Sequence, residues 1–120
     1  MANQPNNAAS PTQDQVADAF QALYDQLVLA YHAASDDNTR DRINGIKEIV
    51  YDQLIQLEQQ QLDANNALYG QVKGQMQKVI ARIEQLKSDI NSIIHAVNVA
   101  TDVAAAADMA IGLAAKYFKM

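Results

Sequence analysis

The sequence predicts an all-α fold: an elongated antiparallel helical hairpin or bundle of three or four helices with coiled-coil-like seams. Three observations carry this. The 120 residues include no Trp, 6% aromatics, 2 Pro and 4 Gly, and Ala and Gln, both good helix formers, are heavily used. Pro5 and Pro11 sit at the N-terminus, so no proline interrupts the chain beyond Pro11. Apolar residues recur every three or four positions, and from Val72 to Val97 they alternate strictly by four and three, as in a coiled-coil seam.

Residues 1–9 are polar and offer nothing to bury, so a disordered arm is expected there, followed by a single helical domain over 10–120. The first helix is expected at about 11–34. Ser10 is its expected N-cap, Pro11 its first helical residue and Gln13 the partner in a capping box. Val16, Phe20, Leu23, Leu27 and Tyr31 form its apolar stripe. "SDDNTRD" is the first break, where Asp36, Asp37 and Asn38 favour a turn and then cap the next helix.

The second helix, about 38–66, carries Ile43, Ile46, Val50, Leu54, Leu57 and Leu62 on one face and glutamines around them. "LDANNALYGQVKGQ" reads as a turn or flexible joint, because Asn65, Asn66, Gly70 and Gly74 all suit one. A third helix is expected at about 71–97 and a fourth at about 98–118, the two either separate or continuous. A single helix over 71–117 would run about 70 Å at 1.5 Å per residue, so it demands a rod. Elongated antiparallel helices are the favoured layout, with a break near 97–101 and a fourth helix as the close alternative.

The last segment, "HAVNVATDVAAAADMAIGLAAKYFKM", is the most apolar. At 100° per residue, Asn98, Thr101, Asp102, Asp108, Gly112, Lys116 and Lys119 share one narrow polar arc. Each mid-segment aspartate opposes a membrane-spanning helix by about 2.5–3.5 kcal/mol. The small-residue ladders Ala96-Ala100-Ala104 and Ala106-Ala110-Ala114 permit close helix approach. The segment therefore suits burial by neighbouring helices on two sides.

Chemistry is sparse. A net charge of −5 with scattered Lys and Arg lacks the basic footprint of a nucleic-acid binder. No cysteine is present, which removes disulfides, thiolate metal sites and cysteine nucleophiles. His32 and His95 have no ligand-type partners one turn away. "DNTRDRINGIKE" puts Asp37, Thr39, Asp41 and Glu48 at calcium-loop positions, but Arg42 stands where glycine is needed. "GQVKGQ" lacks the spacing of a phosphate loop. No enzyme, cofactor, metal site or small-molecule substrate is expected.

The expected function is a non-catalytic helical protein–protein interaction or assembly module, self-associating or binding a helical partner through apolar faces. The candidate interface is Val72, Met76, Val79, Ile83, Leu86, Ile90, Ile93, Val97, Val103, Ala106, Ala110, Leu113 and Tyr117. The stretch "IEQLKSDINSIIHAVNVATDVAAAADMAIGLAAKYF" resembles the long-helix-then-apolar-segment layout of α-helical pore-forming toxins. That resemblance implies a membrane-active alternative using the Ala-rich segment. A small secretion-system component or its chaperone is likewise built of helical hairpins, although "LYG" at 68–70 replaces the Trp-x-Gly turn of one such secreted family. No signal peptide is legible at the N-terminus, so a cytoplasmic location, or export without such a signal, is expected.

Overall fold

The computed structural model describes residues 11–60, 62 and 67–120. Four helices follow one another: α1 (Gln13–Ala33), α2 (Asp37–Gln59), α3 (Ala67–Ile93) and α4 (Val97–Phe118). They form an antiparallel bundle in which each helix packs on its chain neighbours and α4 closes the ring against α1. The contacts of α1 with α2 and α4 are the most extensive, and α3 is held less extensively by α2 and α4. The all-α expectation is met, and of the two layouts legible in the sequence the four-helix bundle forms. Its extents are 48 × 34 × 20 Å and its Cα radius of gyration is 15.1 Å. That is slightly more drawn out than the about 13.6 Å of a compact chain of this length.

The capping signal is real but lies two residues later than the sequence reading has it. Thr12 is the N-cap of α1, its hydroxyl accepts from the Gln15 N–H, and the Gln15 side chain accepts from the Thr12 N–H. Pro11 precedes the helix instead of opening it. Ser10 and the expected arm lie outside the described residues. Gln13 is freed for another task, described below.

Asp36 caps α2 as expected: its carboxylate accepts from the Thr39 N–H at 2.8 Å. That bond, more than any nearby charge, holds the Asp36 carboxyl below its ordinary value of 3.8. A depressed carboxylate contributes stability that is complete above the ordinary aspartate pKa and is lost as the pH falls through the lowered one. Asp36→Ala is therefore expected to lower the thermal midpoint at pH 7, with the gap to wild type narrowing on acidification below about pH 4. Parallel melts of the two proteins from pH 7 to pH 2 check this, and a gap that stays constant would contradict it.

Three boundaries differ from the sequence reading. Helix α2 stops at Gln59, short of 66, because the Gln13 side chain takes its last carbonyls: Nε2 donates to Leu57 O at 2.7 Å and to Gln60 O at 2.6 Å. Helix α3 begins at Ala67, so Gly70 and Gly74 are helical and are neither turn nor joint. A Cβ at either would meet nothing within 4 Å, so no close helix approach requires glycine there. The seam residues Val72 and Met76, 1% and 0% exposed, hold this stretch helical through packing. Finally, α3 ends at Ile93 and α4 starts at Val97, so no unbroken helix spans 71–117.

One apolar core runs the length of the bundle. Midway, Leu23 and Leu27 of α1, Ile46 of α2, Ile83 and Leu86 of α3, and Val103 and Ala107 of α4 converge without room for a water molecule.

Candidate interaction faces

The expected interface is mostly core. Val72, Met76, Val79, Ile83, Leu86, Ile90, Val103 and Ala110 are buried inside the chain's own bundle. As folded they line an intramolecular seam instead of offering a face to another molecule. Ile93, Ala106, Leu113 and Tyr117 are half-buried against that core, and Val97 is 73% exposed. The physical reason is the fourth helix. By folding back, α4 covers surface that three helices would leave open.

The polar arc of α4 is where the angular reading places it: Asn98, Thr101, Asp102, Asp108, Gly112, Lys116 and Lys119 are all exposed. The small residues facing inward are Ala100, Ala107, Ala110 and Ala114, at most 1% exposed. Ala96 is exposed and Ala104 half-buried, so the first expected ladder is not the contact row. Ala107 takes the place of Ala106, because the inward direction of the helix runs through Val103 and Ala110.

Two polar pairs pin α3. Arg42 of α2 meets Asp89 at 2.8 Å, and this hydrogen bond holds the Asp89 carboxyl below its usual range. Lys87 meets Asp108 of α4 at 2.5 Å, which raises the Lys87 ammonium above its usual range. Both pairs are partly solvated, where such bridges contribute little to stability. They mark which helix faces which.

At the end of the bundle where α1 begins, Gln13 is the hub. Besides its two donations to α2, its Oε1 accepts from the Leu62 N–H at 3.2 Å and from the Tyr117 hydroxyl at 3.4 Å. The Tyr69 hydroxyl donates to Tyr117 O at 3.3 Å. Phe118, fully buried, lies edge-on to Tyr117 at 4.9 Å and tilted on Tyr69 at 5.3 Å between ring centroids. All four helices are thus tied at one end. Sequence reading misses this cluster because Gln13, Tyr69 and Tyr117 are far apart in the chain, and nothing local distinguishes them from other polar or aromatic residues.

Among the described residues of α1 and α4, Leu29, Val97 and Met109 are the large apolar side chains left exposed. Leu29 of α1 is 53% and Met109 of α4 63% exposed. A shallow depression nearby is lined by Gln15, Asp18, Ala19, Ala22, Met109 and Leu113. By helical angle Ala22 and Leu29 share one flank of α1, and Met109 and Leu113 share the facing flank of α4. Across α1 and α2 the surface is different in character: Tyr24 tilts on Tyr51 at 5.5 Å, and the Lys47 ammonium lies 5.1 Å from the Tyr31 ring centre. Between α2 and α3, Gln53 is 4% exposed and donates weakly to Gln75 at 3.4 Å, while its own carbonyl oxygen is buried without a partner.

The residues singled out for chemistry do not converge. Asp37, Asp41 and Glu48 lie along continuous helix, so they cannot wrap one ion. Thr39 is buried. His32 is exposed beside Tyr31, and His95 is exposed between α3 and α4. Among the described residues no group of three or more His, Cys, Asp or Glu is placed to hold a metal ion. Helix α4 alone among the described helices is long and apolar enough to cross a membrane by length and composition, with mean hydropathy 1.3. No protein-family model, curated protein or solved structure matches this chain.

Proposed function

We propose that this chain is a non-catalytic helical interaction module that meets other polypeptide through an apolar helix face. The observation that carries the reading is the exposed Met109 beside Leu113, Ala19 and Ala22 in the depression between α1 and α4. Leu29 and Met109 stand more than half exposed on α1 and α4, which pack on each other as extensively as α1 packs on α2. A rigid backbone presenting unbranched, adaptable Met beside Leu and small Ala is suited to receive the ridge of another helix. The flanking Asp18 and Asp102 favour a partner with basic residues at its rim. A photo-crosslinking residue installed at Met109 in the living source is expected to give a discrete protein adduct, and one at Lys78 on the α2/α3 side is expected to give none. Absence of an adduct at Met109 would overturn the reading.

A second reading has one observation in its favour, the length and apolarity of α4. On this reading α4 leaves the bundle and enters a bilayer. Asp102 and Asp108 oppose the insertion. Leakage of dye from anionic liposomes exposed to the intact chain would support it, and intact liposomes would exclude it.

A further inference from the structure

The turn between α3 and α4 is unlike the other described turn. Between α1 and α2 the chain breaks at "ASDD", where Asp36 caps α2 and Arg40 donates to the Ala34 carbonyl at 3.1 Å. Between α3 and α4 there are only Ile94, His95 and Ala96, with no Gly, Pro or side-chain cap. The last bond of α3 runs from Ile94 N to Ile90 O, and the first of α4 from Ala100 N to Ala96 O. The amides of residues 95–99 lie between, and each would gain an i−4 carbonyl if the helix ran on. No Gly or Pro here forces the break, so packing of α4 against its neighbours holds the bend in place of a local breaker.

In the sequence, Val72, Met76, Val79, Ile83, Leu86, Ile90, Ile93, Val97, Ala100, Ala104, Ala107, Ile111, Ala114 and Phe118 keep an alternation of four and three through the turn, while the folded-back α4 turns Val103 and Ala110 inward and leaves Ala104 and Ile111 half-buried. Val97 is the member of this series that the folded-back form leaves 73% exposed, against burial or half-burial for all the others.

From these observations we infer that the module pairs with a second copy of itself by exchanging α4. The 94–96 turn straightens, α3 and α4 become one helix of about 78 Å, and each α4 docks on the α1 of the other chain. The inference goes beyond the interaction reading above: its partner is a second copy, and it does not use the face that carries Leu29 and Met109. Every contact of α4 with α1 and α3 is remade between chains, so the two forms differ chiefly at the hinge. There the exchanged form gains helical hydrogen bonds. A short turn without breakers favours such exchange.

The Lys87–Asp108 pair reports the exchange directly, because it bridges α3 and α4. Chains of natural isotope content and chains fully labelled with nitrogen-15 are unfolded together and refolded at high concentration, and the dimer is isolated by size exclusion. A water-soluble carbodiimide then joins the Lys87 amine to the Asp108 carboxylate, and mass spectrometry reads the linked peptides. In an exchanged dimer of randomly mixed chains, about half of these links join light to heavy peptide. Links only within one isotope, or no dimer at all, would overturn the inference.

Val97→Pro gives an independent arm. Val97 is the first residue of α4, where proline is well accommodated, and Ala96 already has the extended conformation that precedes proline, φ −77° and ψ 102°. In a continuous helix the same proline would clash with the Ile93 carbonyl and forfeit a bond. The variant is expected to keep its helix content and lose the dimer, and a dimer that persists would overturn the exchange. The Met109 face is untouched by this change. Its adduct should survive in Val97→Pro, so failure of the exchange is distinguishable from failure of the interaction reading.

Discussion

Replacing Phe118 by alanine should lower the unfolding free energy by about 3–5 kcal/mol, the range for removing a fully buried aromatic side chain. Phe118 is 0% exposed at the foot of α4 and packs on Tyr69 and Tyr117. Much of the rest of α4 that points inward is alanine, which buries little area per residue, so Phe118 carries a large share of the docking. A loss of this size is a large part of the total stability expected of a domain of this length. Urea denaturation followed by far-ultraviolet circular dichroism checks it. Hydrogen exchange in the variant should quicken first along α4. A loss below about 1 kcal/mol, the typical effect of a point substitution, would mean that Phe118 is not anchored as described.

Ala110→Leu tests the same helix from the other side. Ala110 is 0% exposed in the row Ala100, Ala107, Ala110 and Ala114, on a helix whose most extensive contacts are with α1. Extra methylene groups there must displace backbone or force poor rotamers, at a cost of about 1–3 kcal/mol. The exposed neighbour Ala105 supplies the control, since surface substitutions stay within about 0.5 kcal/mol. Ala110→Leu with the stability of Ala105→Leu would show that α4 lies farther from its neighbours than these burial values indicate.

The fold class was legible because the apolar period is one-dimensional information. Val16, Phe20, Leu23 and Leu27, or Ile83, Leu86 and Ile90, announce a buried stripe whatever they pack against, and all are at most 2% exposed. The polar arc of α4 was legible for the same reason. Boundaries were less so, because they depend on partners distant in sequence. Gln13 ends α2 from 44 residues away, and no signal near Gln59 announces it. Gly70 and Gly74 read as turn residues by propensity, yet packing of Val72 and Met76 overrides that weak preference. Most of the expected interface residues are buried within the single chain. A seam shows that a side chain will be covered without showing which chain covers it. Leu29 and Met109 do not stand out in the sequence, since each looks like another member of an apolar helix until its neighbours are placed.

The central claim is that the apolar seams of this chain are satisfied by its own four helices when it is alone. Small-angle scattering at dilutions where light scattering gives the single-chain mass tests it most directly. The expected radius of gyration is close to 15.1 Å, with a greatest dimension near 48 Å. A radius of about 22 Å or more, with a dimension approaching the about 78 Å of an unbroken α3–α4 helix, would contradict it.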